Sequence, residues 1–255
     1  MPAADVADTL DTAHCDVGIV CALKLELAPF LERCERVKSY SGGAFAFRGG
    51  LLGDRRIAVV ECGAGRTRAR KATLALIDAH TPRWLLSVGF SGALRPDLKI
   101  GDVVVANGIV GPAGESLALD LSMTADPARG WHVGRIATVD HIVRTVAEKS
   151  VLAEKTGALA VDMESLAVGQ VAQDVRLRFM AVRAISDDAT SDLPPEVLAI
   201  LGPTGSVRAG AVAGAMWKRF SSVKDMWRMR EHAIQASERL ASFLEGVIVQ
   251  LPVGA

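Results

Sequence analysis

The sequence predicts a single α/β domain whose central sheet is covered by helices on both faces. Apolar runs of strand length alternate with segments of helix length along the chain. Several runs, such as Trp84-Leu-Leu-Ser-Val-Gly89 and Phe179-Met-Ala-Val-Arg-Ala-Ile185, are apolar almost throughout rather than at every second position. That is the pattern of strands buried on both sides. Glycine punctuates the ends of these runs, and 255 residues are enough for one large buried core.

The elements follow in order. Residues 1–15 are polar, carry acids and lack a basic stretch before an apolar core, so they read as a disordered tail and not a secretion signal. The domain is expected over 16–255. Residues 16–22 form a first strand, and a helix runs over about 25–37. The runs 44–48 and 56–60 flank a Gly-rich turn and predict a hairpin. Gly63-Ala-Gly65 stops that strand and 66–79 reads as a helix. Strands at 84–89 and 102–106 continue the sheet, 111–130 reads as loop, and 158–161 leads through Asp162 into a helix ending near Gln173. The strand 179–185 ends in Ser186-Asp187-Asp188. Pro194-Pro195 and Gly202-Pro203 then break the chain before a long helical segment over 205–250.

In that segment Val212, Met216, Phe220, Val223 and Trp227 recur about every four residues. Lys218, Arg219, Lys224, Arg228 and Arg230 surround them, with Trp217 nearby. A basic, Trp-bearing amphipathic helix can rest on an anionic membrane surface. The same stripe suits packing on its own domain or across a dimer interface.

Composition narrows the function. Formal net charge is zero, which argues against a general electrostatic grip on nucleic acid. No apolar run approaches the roughly 18–20 residues needed to cross a bilayer. Cys15, Cys21, Cys34 and Cys62 form no C-x-x-C pair and no His joins them at zinc spacing. They read as reduced, mostly buried thiols of a cytoplasmic protein; no metal site and no cofactor is indicated.

In open α/β sheets chemistry collects at the carboxyl ends of strands. Four junctions qualify: 22–26, 62–66, 89–93 and 186–188. Asp187 and Asp188 are adjacent carboxylates that can raise each other's pKa, so that one holds a proton near neutrality; either could instead cap the next turn. Glu26, flanked by leucines, can point into a cleft as a base for water or sit solvated in a first helical turn. Glu164 has two acceptor oxygens that suit the paired hydroxyls of a ribose, or it serves helix-end electrostatics. Gly63-Ala-Gly65-Arg66 lacks the third glycine of a dinucleotide fingerprint and suits a tight strand-to-helix turn equally well. No G-x-S-x-G nucleophile elbow is present, and His80 and His232 fall in helical stretches as surface or packing residues.

Taken in order, Gly18-Ile-Val-Cys-Ala-Leu-Lys-Leu-Glu26, Glu61-Cys-Gly-Ala-Gly65, Ser87-Val-Gly-Phe-Ser-Gly-Ala93 and Lys99-Ile-Gly-Asp-Val-Val-Val105 resemble the purine nucleoside phosphorylase/nucleosidase superfamily. Val161-Asp-Met-Glu-Ser165, followed about twenty residues later by Arg183-Ala-Ile-Ser-Asp187, is the most specific part. The likeness is nearest to the methylthioadenosine/S-adenosylhomocysteine nucleosidase branch. It implies a mixed, partly barrel-like sheet with helices around it. It also implies that Asp187 protonates the purine N7 and that Glu26 holds or activates the attacking water. Met163 and Glu164 would hold the ribose, Ser186 would position Asp187, and Phe90 and Ser91 would line the substrate.

Two departures matter. Where phosphorolytic relatives hold phosphate, this chain has Ser87, Phe90 and Ala22-Leu-Lys-Leu-Glu26. A dianion without a dedicated cation is poorly held, so water is the expected nucleophile, with Arg66 the one nearby candidate for phosphate. Where nucleosidases stack a Phe on the purine, this chain has Ile142. The second half, including Thr156-Gly-Ala-Leu-Ala-Val161, Asp192-Leu-Pro-Pro-Glu-Val-Leu198 and Gly202-Pro-Thr-Gly205, is also similar to the hopanoid-associated phosphorylases, which are linked to removing adenine from adenosylhopane.

The expected activity is hydrolysis of a 5′-substituted adenine nucleoside of the methylthioadenosine, S-adenosylhomocysteine or adenosylhopane type. The alternatives are phosphorolysis of the same bond to a ribose 1-phosphate product and a non-catalytic nucleoside-binding protein. A dinucleotide-dependent oxidoreductase resting on Gly63-Ala-Gly65 is a third. The resemblance also implies a homodimer.

Overall fold

A computed structural model of the chain describes residues 14–120, 123–194 and 223–252. Its organising element is β1 (Val17–Cys21), in which every residue is buried. It pairs in parallel with β4 (Arg55–Glu61) on one side and β5 (Trp84–Ala93) on the other, and β5 pairs in parallel with β10 (Arg178–Asp187). Parallel pairing puts the carboxyl ends of all four strands on one edge of the sheet, where the candidate acids lie.

The remaining strands are β2 (Glu35–Gly42), β3 (Phe45–Leu52), β6 (Val103–Val110), β7 (Ser116–Ala118), β8 (Trp131–Thr138) and β9 (Ala160–Asp162). β10 runs antiparallel to β6, β6 parallel to β8, β8 parallel to β9, and β9 antiparallel to β5. Those strands therefore close into a small barrel, while β1, β4, β3 and β2 extend from it as an open wing. The mixed, partly barrel-like sheet expected from the resemblance is present.

Side chains alternate across a strand, so each face of β1 needs its own cover. Ile19 packs with Leu27 and Phe30 of α1 (Lys24–Glu32) and with Leu240, Phe243 and Leu244 of α5 (Val223–Ile248). Val20 faces the other way, onto Ala69, Ala72 and Leu76 of α2 (Arg66–His80) and Val168 and Ala172 of α4 (Ser165–Asp174). The remaining helix, α3 (Val146–Thr156), follows the β8 strand and starts from a Thr145/Glu148 capping box.

Several expectations needed correction. The helix expected over 25–37 stops at Glu32, and Glu35 begins β2, whose residues are all exposed. The loop expected over 111–130 contains β7, and the unassigned stretch after it is β8. Cys15, placed in the tail, is buried and donates its backbone N–H to the His80 carbonyl at 2.9 Å, so the ordered fold begins before residue 16. The expected tail otherwise lies outside the described residues up to position 13, as do 205–222 of the C-terminal segment and with them Val212, Met216 and Phe220.

Within α5 the buried face is Ala236, Leu240, Phe243, Leu244 and Ile248, not a continuation of the stripe through Trp227, which is 54% exposed. That helix packs on its own domain. Among the described residues, no helix is long and apolar enough to cross a membrane.

Candidate active site

All four junctions picked out in the sequence converge on one cavity of about 740 Å³, within the usual size of small-molecule sites. Among its lining carboxyl groups, Glu26, Glu164 and Asp187 each sit against a glycine.

Glu26 is in the first turn of α1 and only 4% exposed. Its Oε2 accepts from the backbone N–H groups of Ala22 at 2.9 Å and Leu23 at 2.8 Å, and its Oε1 from that of Phe90 at 3.0 Å. A carboxylate has about four acceptor positions, so one is left for a further donor such as water. Burial raises its pKa, opposed by those three N–H groups and by the Arg183 guanidinium. Gly89 makes the arrangement possible: a Cβ there would lie 2.7 Å from Glu26 Oε1.

Asp187 ends β10 just after a register shift between Ile185 and Asp187. Such bulges re-aim a side chain at the edge of a sheet. Its Oδ2 is 2.7 Å from Lys149 Nζ, and its Oδ1 accepts from Ser186 Oγ at 3.4 Å. A Cβ at Gly92 would come within 2.9 Å of Oδ2, so Gly92 clears space for this acid as Gly89 does for the other.

Burial raises the pKa of Asp187, Lys149 and Ser186 oppose this, and Asp188 adds the smallest push upward. The expected upward push of Asp188 on Asp187 is thus present but small, and the expected rise of Asp188 is corrected. Asp188 turns to Thr190 and Ser191, accepting at 2.8–2.9 Å, and these bonds overcome its burial and hold it below the usual carboxylate range.

Glu164 immediately precedes α4, is 8% exposed, and accepts at Oε1 from the backbone N–H of Gly65 at 2.7 Å. Burial, then the neighbouring Asp162, pushes it up to about 7 against the pull of Arg183 and Gly65. Gly65 presents that N–H from a backbone with φ of 101°, which favours glycine. The Gly63-Ala-Gly65 turn is thus committed to a protein carboxylate.

Met163, Ser186, Ile142, Phe90 and Ser91 all line the cavity as expected. Arg66 does not. Its guanidinium grips Asp140 at 2.7 and 2.9 Å and Glu115 at 3.1 Å, so two carboxylates already satisfy the one cation considered for phosphate.

Three contributors were not assigned from sequence. Arg183 is 1% exposed; its Nη2 sits 2.7 Å from Asp162 Oδ2 and donates to Ser87 Oγ at 2.9 Å. Asp162 in turn accepts from Thr138 Oγ1 at 2.7 Å. An arginine inside an otherwise apolar strand was the available signal. Lys149 gave none, since it lies in a mixed helical run. The outer wall comes from Leu25 and Pro29 of α1 and Trp227, Met229 and Ile234 of α5, which are about 200 residues apart in the chain. The site brings together three acids of raised proton affinity, acceptors for hydroxyl groups, and apolar cover for a ligand.

The chain is similar in sequence and in fold to known proteins. The 5′-methylthioadenosine/S-adenosylhomocysteine nucleosidase of Maridesulfovibrio salexigens is 24% identical over 201 residues, 69% of this chain and 87% of the relative. That of Shewanella pealeana is 25% identical over 203 residues, 70% and 88%. Among solved structures, the Helicobacter pylori nucleosidase of the same name, complexed with a pyrrolidine inhibitor, superposes with a TM-score of 0.70 at 21% identity. It covers 92% of this chain and 98% of that one. A futalosine hydrolase mutant of the same organism gives 0.70 at 20% identity, with 92% and 99% covered. These superpositions establish the shared fold. A profile of the phosphorylase superfamily matches residues 16–126 and 121–202, a span that includes Glu26, Glu164 and Asp187, and the chain therefore belongs to the phosphorylase superfamily.

Proposed function

We propose that this protein hydrolyses the N-glycosidic bond of a 5′-substituted adenine nucleoside, releasing adenine and the free pentose. The observation that carries the proposal is the placement of Asp187, partly buried, and Glu26, buried, both with raised proton affinity, on one cavity with Glu164 beside them. Asp187 gives its proton to N7 of the purine. The C1′–N9 bond then breaks and its electrons pass into the neutralised base. Water attacks C1′ as its proton passes to Glu26, and the two acids are reset through solvent.

Positive charge developing on the sugar is stabilised by the carboxylates around it. Glu164 accepts from the ribose hydroxyls beside Met163, Ser186 steadies Asp187, and Ile142, Phe90 and Ser91 cover the nucleoside. Water is favoured over phosphate because a carboxyl group, Glu26, stands where phosphate would need a cation, and Arg66 is neutralised by Asp140 and Glu115.

The 5′ substituent is proposed to be large and apolar, of the adenosylhopane type. With base and ribose at the acids, the outer wall presents the apolar Leu25, Pro29, Trp227, Met229 and Ile234 beside Arg228, Arg230 and His232, and three of the apolar residues are about half exposed. Such a rim also suits peripheral contact with a membrane holding the substrate. Cytoplasmic location and a homodimer complete the proposal.

The test is to incubate the protein with methylthioadenosine, S-adenosylhomocysteine and a series of 5′-alkylthio-adenosines, following adenine. Turnover that rises with alkyl length by up to about fourfold per buried methylene, with the zwitterionic homocysteine tail disfavoured, is the expected result. A flat series would remove the lipid-type substrate, and absence of adenine from every nucleoside would overturn the enzymatic reading in favour of a binding protein.

A further inference from the structure

The charge of Lys149 is buried at the site and takes no part in the reaction above. Lys149 on α3 is 1% exposed, and lysine is almost never fully buried unless paired. Its Nζ lies 2.7 Å from Asp187 Oδ2 and donates to the backbone carbonyl of Asp188. The two ends of this contact are tied together independently of it. The N–H of Val146, first in α3, donates to Asp192 Oδ1 at 2.8 Å. Leu193 N–H donates to the Arg144 carbonyl at 2.9 Å, and Arg144 Nη1 to the Leu193 carbonyl at 2.8 Å. The start of α3 and the chain just after β10 are therefore fastened as one unit, with the ammonium group at its centre.

We propose that Lys149 is a positioning residue that acts through Asp187, fixing which carboxyl oxygen faces the base and limiting the pH range in which Asp187 serves as the acid. This rests on Asp187 being the acid of the proposed reaction. Oδ2 is lodged between Lys149 and Gly92, so Oδ1, beside the Ser186 hydroxyl, is the oxygen free to carry a proton into the cavity. A cation 2.7 Å away favours the ionised carboxylate and opposes the burial that favours the acid form.

Other charged groups stand further round the same cavity. Asp188 follows Asp187 in the chain, Glu164 comes from the start of α4, and His141 from the loop before α3. Arg228, Arg230 and His232 come from α5. Among the charged groups of the described residues, Lys149 is the one held in contact with the Asp187 carboxyl group.

The experiment is the pH dependence of kcat/KM for adenine release by the full chain, comparing wild type, Lys149→Met and Lys149→Arg. Loss of the cation in Lys149→Met is expected to move the alkaline limb upward by about 1–3 units and to lower kcat at neutral pH by tenfold or more on the order of the cost of misplacing a catalytic group. Lys149→Arg keeps the charge and is expected to keep the limb in place. A Lys149→Met limb that coincides with wild type, whatever the loss of rate, would overturn the proposal, because a purely structural role does not move it. Should Lys149→Met fail to fold, Lys149→Gln, neutral but able to donate to the Asp188 carbonyl, is read in the same way. Asp187→Asn separates the two claims: if it retains activity the acid assignment falls, whereas an inactive Asp187→Asn beside an unmoved Lys149→Met limb removes only the role of Lys149.

Discussion

Asp187, Glu26 and Glu164 owe their positions to glycines as much as to their own bonds. Gly89→Ala would put a methyl group against Glu26 Oε1, and Gly92→Ala would put one against Asp187 Oδ2. Each is expected to lower kcat by roughly 10–100-fold, in the range of small misplacements of catalytic groups, with a far smaller effect on the thermal midpoint. Equal loss of rate and of folded protein would contradict that assignment. Asp187→Asn is expected to cost about 10²–10⁴ in kcat with the fold retained, as judged by circular dichroism.

Glu164 adds a stability effect with a definite sign. The folded protein keeps its proton up to about 7 whereas the ordinary value is 4.5, so between those values the folded state binds more protons than the unfolded one. Its contribution is fully present below 4.5 and is lost as pH rises through 7. Thermal midpoints measured from pH 5 to 8 should therefore decline less in Glu164→Gln than in wild type. A parallel decline would show that the group is not protonated in the fold.

These three acids were legible in the sequence because each stands where an apolar run ends. Arg183 and Lys149 were not, because what makes them special is a partner supplied by packing: Asp162 for one, Asp187 for the other.

At the scale of elements, β1, β5 and β10 were legible because burial on both faces leaves a continuous apolar run, and the partly exposed β3 because a Gly-rich turn joins it to β4. β2 was missed because all its residues are exposed and its place is set by pairing with β3. β8 was missed because its first half is only half-buried and includes Gly134 and Arg135, which breaks both the apolar run and any alternation.

α5 shows a different limit. Its helical character was readable, but which face it buries depends on α1 and the sheet. Phe243, 2% exposed and edge-on to Trp131 with ring centroids 5.5 Å apart, anchors that face. Phe243→Ala is expected to cost about 3–5 kcal/mol in urea unfolding, whereas removing Arg33, which clasps the exposed Glu238 and Glu245, should cost less than about 1 kcal/mol. A small effect of Phe243→Ala would mean that α5 is not part of the core.

For the molecule as a whole, parallel pairing of β1, β4, β5 and β10 is what turns separate sequence signals into one site. Each of those strands delivers its carboxyl-end residues to the same edge, and closure of the barrel through β9 brings Asp162, Met163 and Glu164 to that edge as well. α1 and α5 then roof the cavity with apolar side chains. On the proposed reaction the acids stand at the sheet edge and the 5′ substituent meets the outward faces of α1 and α5, so exchanging Trp227 or Ile234 for polar residues should alter KM for long-chain substrates while leaving methylthioadenosine turnover nearly unchanged.

The central claim is that water, held at Glu26, is the nucleophile. The most direct measurement is to release adenine from methylthioadenosine in ¹⁸O-labelled water containing phosphate and to weigh the sugar product. A free pentose carrying one ¹⁸O at C1, formed at a rate independent of phosphate, is expected. A ribose 1-phosphate product without the label, formed only when phosphate is present, would contradict it.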